Sequence, residues 1–126
     1  MLTLIETRNR HFIDRCRAII ASSPRGYTIS RAEVARMAAE SPAPCYYCTF
    51  TYALRMLRLL RHGRLRLRRD RRLALWMEIN TKVDRLLALR PGTSLPTALA
   101  NVLAEGNASQ FFISPATALS LAERLR

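Results

Sequence analysis

Lysine is nearly missing from this chain: Lys82 stands alone among 21 basic residues, and all the others are arginine. Glycine is scarce too. Four glycines with no clustering leave no backbone loop of the kind that cradles a nucleotide phosphate. Three cysteines, Cys16, Cys45 and Cys48, are too few and odd in number for a secreted disulfide framework, and they fit a reducing compartment. No apolar run approaches the roughly 20 residues that span a bilayer. The opening residues, MLTLIETRNRHF, carry no leading charge, long apolar run or cleavage site of a signal peptide, and Glu6 and Asp14 speak against a transit peptide. A cytoplasmic, bacterial protein is expected.

Catalytic residue sets are equally missing. His11 and His62 stand apart from other candidates, and no Ser/His/Asp, Cys/His/Asn or paired-carboxylate set has sensible spacing, so no enzyme is expected. Cys45-x-x-Cys48 is half of a zinc site at most, and it lacks the strand-to-helix setting of a redox pair. No metal and no cofactor are expected, and Cys48 reads as a small core residue.

What the chain has in excess is positive charge. The net charge is +12. It is lopsided: residues 1–72 hold 16 arginines against 5 acids, while residues 73–126 hold 5 basic residues against 4 acids. Part of the arginine content is compositional bias, but bias does not put the charge in one half. A polyanion partner follows, nucleic acid before an anionic membrane, because no helix pairs this charge with a wide exposed apolar face.

The second excess is internal similarity. Residues 32–61 and 97–126 align without a gap at an offset of 65. Ala35/Ala100, Ala39/Ala104, Glu40/Glu105, Ala43/Ala108, Ala53/Ala118, Leu54/Leu119, Leu60/Leu125 and Arg61/Arg126 are identical, and an aromatic pair recurs as Tyr46-Tyr47 and Phe111-Phe112. Its recurrence in the weakly charged copy favours packing beneath a loop over base stacking.

Helical periodicity supplies the elements. A first helix is expected over Leu2–Ala21, with Ile5, Phe12, Cys16 and Ile19 inward, ended by Ser22-Ser23-Pro24-Arg25-Gly26. Ser30 and Glu33 read as a capping box opening a second helix that Pro42 and Pro44 stop. Thr49 caps a third helix over Phe50–Arg61. After Gly63, residues 64–72 (RLRLRRDRR) read as a basic linker rather than a strand. Asp70–Leu89 repeats the first helix, Gly106-Asn107 ends the fifth, and Ser114-Pro115 opens the sixth, which runs to Leu125. The expected fold class is all-α: two tandem three-helix units packed together, residues 1–63 and 73–126, joined by the linker.

The segment Thr28-Ile29-Ser30-Arg31-Ala32-Glu33-Val34-Ala35-Arg36-Met37 resembles the opening of a helix-turn-helix DNA-binding motif. Ala35 matches the small residue at the helix crossing, Val34 and Met37 match core positions, and Phe50–Leu60 resembles the recognition helix. The turn, residues 41–48, is longer than the roughly three or four residues usual in that family. The resemblance implies duplex DNA as partner and a small transcription regulator, or a mobile-element or chromosome-associated factor.

If Phe50, Ala53, Leu54, Leu57 and Leu60 face inward, Thr51, Arg55, Arg58 and His62 form the outward stripe. Thr51, Arg55 and Arg58 are the base-contact candidates, since arginine pairs bidentately with guanine. Arg61, Arg64, Arg66, Arg68, Arg69, Arg71 and Arg72 are the phosphate candidates. The second copy has Ala116, Ser120 and Glu123 at the stripe positions, so it is expected to support the first, to contact a protein or to self-associate. Two other readings stay open: an adaptor meeting an acidic protein, and an RNA-binding protein.

Overall fold

The computed structural model describes residues 3–24, 29–67 and 70–125. Among the described residues there are six α-helices: α1 Leu4–Ala21, α2 Arg31–Ala39, α3 Phe50–Arg61, α4 Asp70–Leu89, α5 Leu95–Glu105 and α6 Pro115–Ala122. Among the described residues there is no strand, only one isolated antiparallel bridge between Ala43 and Ala108. The protein is all-α, and residues 64–67 form no wing. No helix among them is long and apolar enough to cross a membrane. Leu2, the Arg25-Gly26 turn, Thr28, Arg68, Arg69 and Arg126 lie outside the described residues.

Local chemistry sets the helix ends. The side chains of Ser30, Thr49, Ser94 and Ser114 accept hydrogen bonds from Glu33, Tyr52, Thr97 and Thr117 N–H, which satisfies donors that a helix start leaves orphaned. The reciprocal capping box occurs at α1, where Thr3 and Glu6 serve each other's N–H groups. Gly63 and Gly106 sit at φ 69°, and Asn107 follows at φ 58°, positive values that a continuing right-handed helix does not allow. The sixth helix is shorter than its expected end at Leu125, closing at Ala122 with Glu123 as C-cap.

The chain divides into two compact units. The first joins residues 1–47 to 107–126, and the second is residues 48–106. Within the first, α1, α2 and α6 pack together; within the second, α3, α4 and α5 do. Each unit therefore takes two helices from one half of the chain and its third from the other. These units do not coincide with residues 1–63 and 73–126. α2 packs on α1 and α6, and α3 packs on α4 and α5, where the helix-turn-helix reading paired α2 with α3.

The long loop after α2 gives the physical reason. A turn of roughly three or four residues would force α3 back onto α2. Here Pro42 and Pro44 keep the chain extended, and its backbone is used elsewhere. Ala43 N–H donates to the Ala108 carbonyl (3.0 Å), Asn107 N–H to that of Pro44 (3.1 Å) and Phe111 N–H to that of Ala39 (3.4 Å). The loop after α2 is thus stitched to the loop before α6.

The first unit's core is Phe12, Cys16 and Ile19 of α1, Val34, Ala35 and Ala38 of α2, and Ala118, Leu121 and Ala122 of α6. Burial raises the Cys16 thiol above its ordinary range. The aromatic pairs belong to packing. Tyr46, Phe111 and Phe112 are buried, Phe12 meets Phe111 edge-on at 5.4 Å, and Tyr47 stacks on Phe111 at 6.2 Å. The Arg31 guanidinium donates to the Leu125 carbonyl (3.3 Å), fixing the chain beyond α6 to the start of α2.

The second unit buries Ala53, Met56 and Leu57 of α3, Leu75, Trp76, Ile79 and Val83 of α4, and Ala98, Leu99 and Val102 of α5. Three inward expectations are corrected: Ile5, Met37 and Phe50 are exposed. On α2 the buried face runs through Val34, Ala35 and Ala38, which turns Met37 outward. Phe50 and Ile5 lie in the first turn of their helices, before the packed stretch begins.

Trp76 is the largest fully buried side chain, and its indole N–H meets no acceptor among the described residues. Trp76→Ala is expected to cost about 3–5 kcal/mol in urea unfolding, from lost burial plus the cavity. Trp76→Phe is expected to cost only about 1 kcal/mol, because it keeps a ring in the site and removes an unpaired donor. A loss in Trp76→Phe well above about 1 kcal/mol would show that the indole N–H has a partner.

Candidate nucleic-acid interface

The residue numbers of the second unit hold 12 basic residues against 4 acids, a net +8, whereas the first unit has 9 against 5, a net +4. The residues of the unit that contains α3 thus carry the larger share of the positive charge. That helix is strongly amphipathic because Ala53, Met56, Leu57 and the half-buried Leu60 fall on one side. The opposite side carries Thr51, Arg55, Arg58 and His62, all exposed.

These four residues, with Leu54, Leu59 and Arg64, line an open groove of ≈ 330 Å³. Arg64 joins them because the left-handed Gly63 turns the chain back, and Arg64 N–H donates to the Leu59 carbonyl (2.8 Å). The structure thus brings together the three base-contact candidates and one phosphate candidate, Arg64.

The other phosphate candidates are dispersed. Arg61 is committed to α4: it donates to Asn80 (2.8 Å) and Asp84 (2.6 Å), and its side chain is only 32% exposed. Its charge is largely answered before any ligand arrives. Arg66 is exposed and donates to the carbonyls of Gly63 (3.3 Å) and Leu65 (3.2 Å), which fixes the first turn of the linker. Arg71 is half-buried. Arg72 lies over the Trp76 ring, 5.7 Å from its centroid. Arg68 and Arg69 lie outside the described residues.

Two features escaped the sequence reading. Arg55 lies 5.8 Å from the centroid of Tyr52, and Tyr52 meets Trp76 edge-on at 5.6 Å. Arginine, tyrosine, tryptophan and arginine therefore form one ladder, Arg55–Tyr52–Trp76–Arg72. The i,i+3 spacing of Tyr52 and Arg55 was legible as a helical pair; the approach of α4 was not. The second feature corrects the isolation of His11, whose Nδ1 lies 2.7 Å from the Tyr47 hydroxyl. Burial first, and then the neighbouring Cys45, push the Tyr47 phenol above its ordinary range, so it stays protonated.

Cys45 and Cys48 are half-buried thiols, so Cys48 is less enclosed than its counterpart Ile113. No group of three or more His, Cys, Asp or Glu that would hold a metal is assembled among the described residues. The first unit has a different surface, an apolar groove of ≈ 370 Å³ between α2 and α6, with Ala35, Ile113 and Ala118 in its wall and the Arg36–Glu40 pair (3.2 Å) at its edge. Compared with protein-family models, with curated proteins and with solved structures, the chain matches none.

Proposed function

We propose that the protein is a non-enzymatic, cytoplasmic DNA-binding protein, a small regulator or chromosome-associated factor, that lays the outer face of α3 on duplex DNA. One observation carries this reading: Thr51, Arg55, Arg58, His62 and Arg64 line one open groove on the more basic unit. In this arrangement α3 is the presented helix and α4 and α5 hold it from behind. Arg55 and Arg58 reach base edges or phosphates, and the Thr51 hydroxyl lies in the first turn, where a helix N-terminus favours anions. Arg64, Arg66 and Arg72 add phosphate contacts, with Arg68, Arg69 and Arg71 of the same basic run; Arg61 holds α3 to α4 instead. The adaptor reading would rely on the apolar α2–α6 groove, whose edge is charge-neutral and offers an acidic partner no attraction.

The test is a fluorescence-anisotropy titration of labelled duplex DNA with the wild type and with Arg55→Ala/Arg58→Ala. Both side chains are exposed, so the variant should unfold at nearly the wild-type temperature. It is expected to bind at least about tenfold more weakly, since each good base contact contributes roughly 1–3 kcal/mol. Unchanged affinity would move the interface to the basic run, and absence of binding by the wild type would end the nucleic-acid reading.

A further inference from the structure

The aromatic half of the ladder, Tyr52 at the start of α3 with Trp76 of α4, is not used by the duplex reading. Tyr52 is 40% exposed, yet it is held still. Its backbone N–H is capped by the Thr49 hydroxyl (3.2 Å), and its ring lies 5.6 Å from that of fully buried Trp76, tilted by 67°. Rigid presentation of a half-exposed aromatic ring lowers the ordering cost of stacking a planar ligand on it. Charge flanks the ladder at both ends, with Arg55 against Tyr52 and Arg72 against Trp76. Arg55 also lines the groove that runs down α3 to Arg64. A ring, a mobile guanidinium beside it and a cationic track leading away make up the arrangement that reads an unpaired nucleotide: the base stacks and the phosphates follow the track.

We propose that this end of α3 is a stacking site for an unpaired base, so that the basic face takes single-stranded nucleic acid, with Tyr52 as the platform. The proposal rests on the nucleic-acid reading above and adds unpaired strands to what the basic face takes. Arg55, exposed and long, swings from the ring to a phosphate when a base takes its place. A paired base inside a duplex has no free face to offer Tyr52, so Tyr52 stacks only on unpaired strands.

The full chain is titrated with labelled (dT)20, (U)20 and a blunt duplex, using wild type, Tyr52→Leu and Tyr52→Phe. The expected result is binding of the single strands, a loss of about tenfold or more in Tyr52→Leu, and retention in Tyr52→Phe, since base–aromatic stacking needs the ring and not the hydroxyl. The tighter of (dT)20 and (U)20 names the source as DNA or RNA. An oligonucleotide carrying 5-iodouracil, irradiated on the wild-type protein, gives a check free of mutation, and its crosslink should map to Tyr52. Duplex binding with Tyr52→Leu unchanged and the crosslink elsewhere overturns the stacking site and leaves the duplex reading standing. Failure of all three probes to bind overturns both.

Discussion

Raising monovalent salt from about 50 to about 200 mM is expected to weaken binding of duplex DNA by roughly a thousandfold, because each neutralised phosphate releases about 0.9 of a counterion. The size depends on how many arginines neutralise phosphates in the complex. Seven were named from sequence, but Arg61 is held by Asp84 at 2.6 Å and by Asn80, so its charge adds little. Six remain, and the slope of log affinity against log salt is expected near roughly −5. Removing Asp84 frees Arg61. In Asp84→Asn the slope should steepen by about 1, and low-salt affinity should rise. Measuring the slope by anisotropy at four salt concentrations checks both values. A slope shallower than about −2 would mean that the basic run stays off the phosphates.

The charge argument was available from the sequence because arginine has a fixed charge and its position along a helix follows from spacing alone. The same holds for α3. Thr49 as cap, the helix over Phe50–Arg61 and the outward stripe Thr51, Arg55, Arg58 and His62 stand as local chemistry dictates. Ala116, Ser120 and Glu123, at the matching positions of the second copy, are exposed as well, so periodicity placed both stripes. What spacing cannot carry is partner choice. Nothing in residues 40–49 says that Ala43 will bond Ala108 rather than let α3 fold back on α2. Arg61 looked like one more surface arginine because Asp84 lies 23 residues away in sequence. The Arg55–Tyr52–Trp76–Arg72 ladder was hidden for the same reason, since half of it belongs to α4. The burial of Tyr46, Phe111 and Phe112 was legible because a recurring aromatic pair in a weakly charged copy has a packing explanation and no electrostatic one.

The exchange of third helices leads to the other large expectation, which concerns fragments. Residues 48–106 contain α3, α4 and α5 with every buried residue of the second unit, from Ala53 to Val102. A piece of about 60 residues with a complete core can fold alone. It is expected to give a helical circular-dichroism spectrum and a cooperative thermal transition. Residues 1–63, the unit suggested by the repeat, are expected to do neither. They keep α1 and α2 but lose Phe111, Phe112, Ile113 and Leu121, and with them the helix that covers α2. Four large apolar side chains at roughly 1.5–3 kcal/mol each come to about 6–12 kcal/mol, which matches the whole stability of a small domain, about 5–15 kcal/mol. In the same fragment α3 has lost α4 and α5, so its apolar side has nothing to cover it. Adding residues 107–126 as a separate peptide should restore helicity to residues 1–47 in a concentration-dependent way, since the missing helix then returns by binding. Cooperative melting of 1–63 alone would make the halves of the chain the folding units.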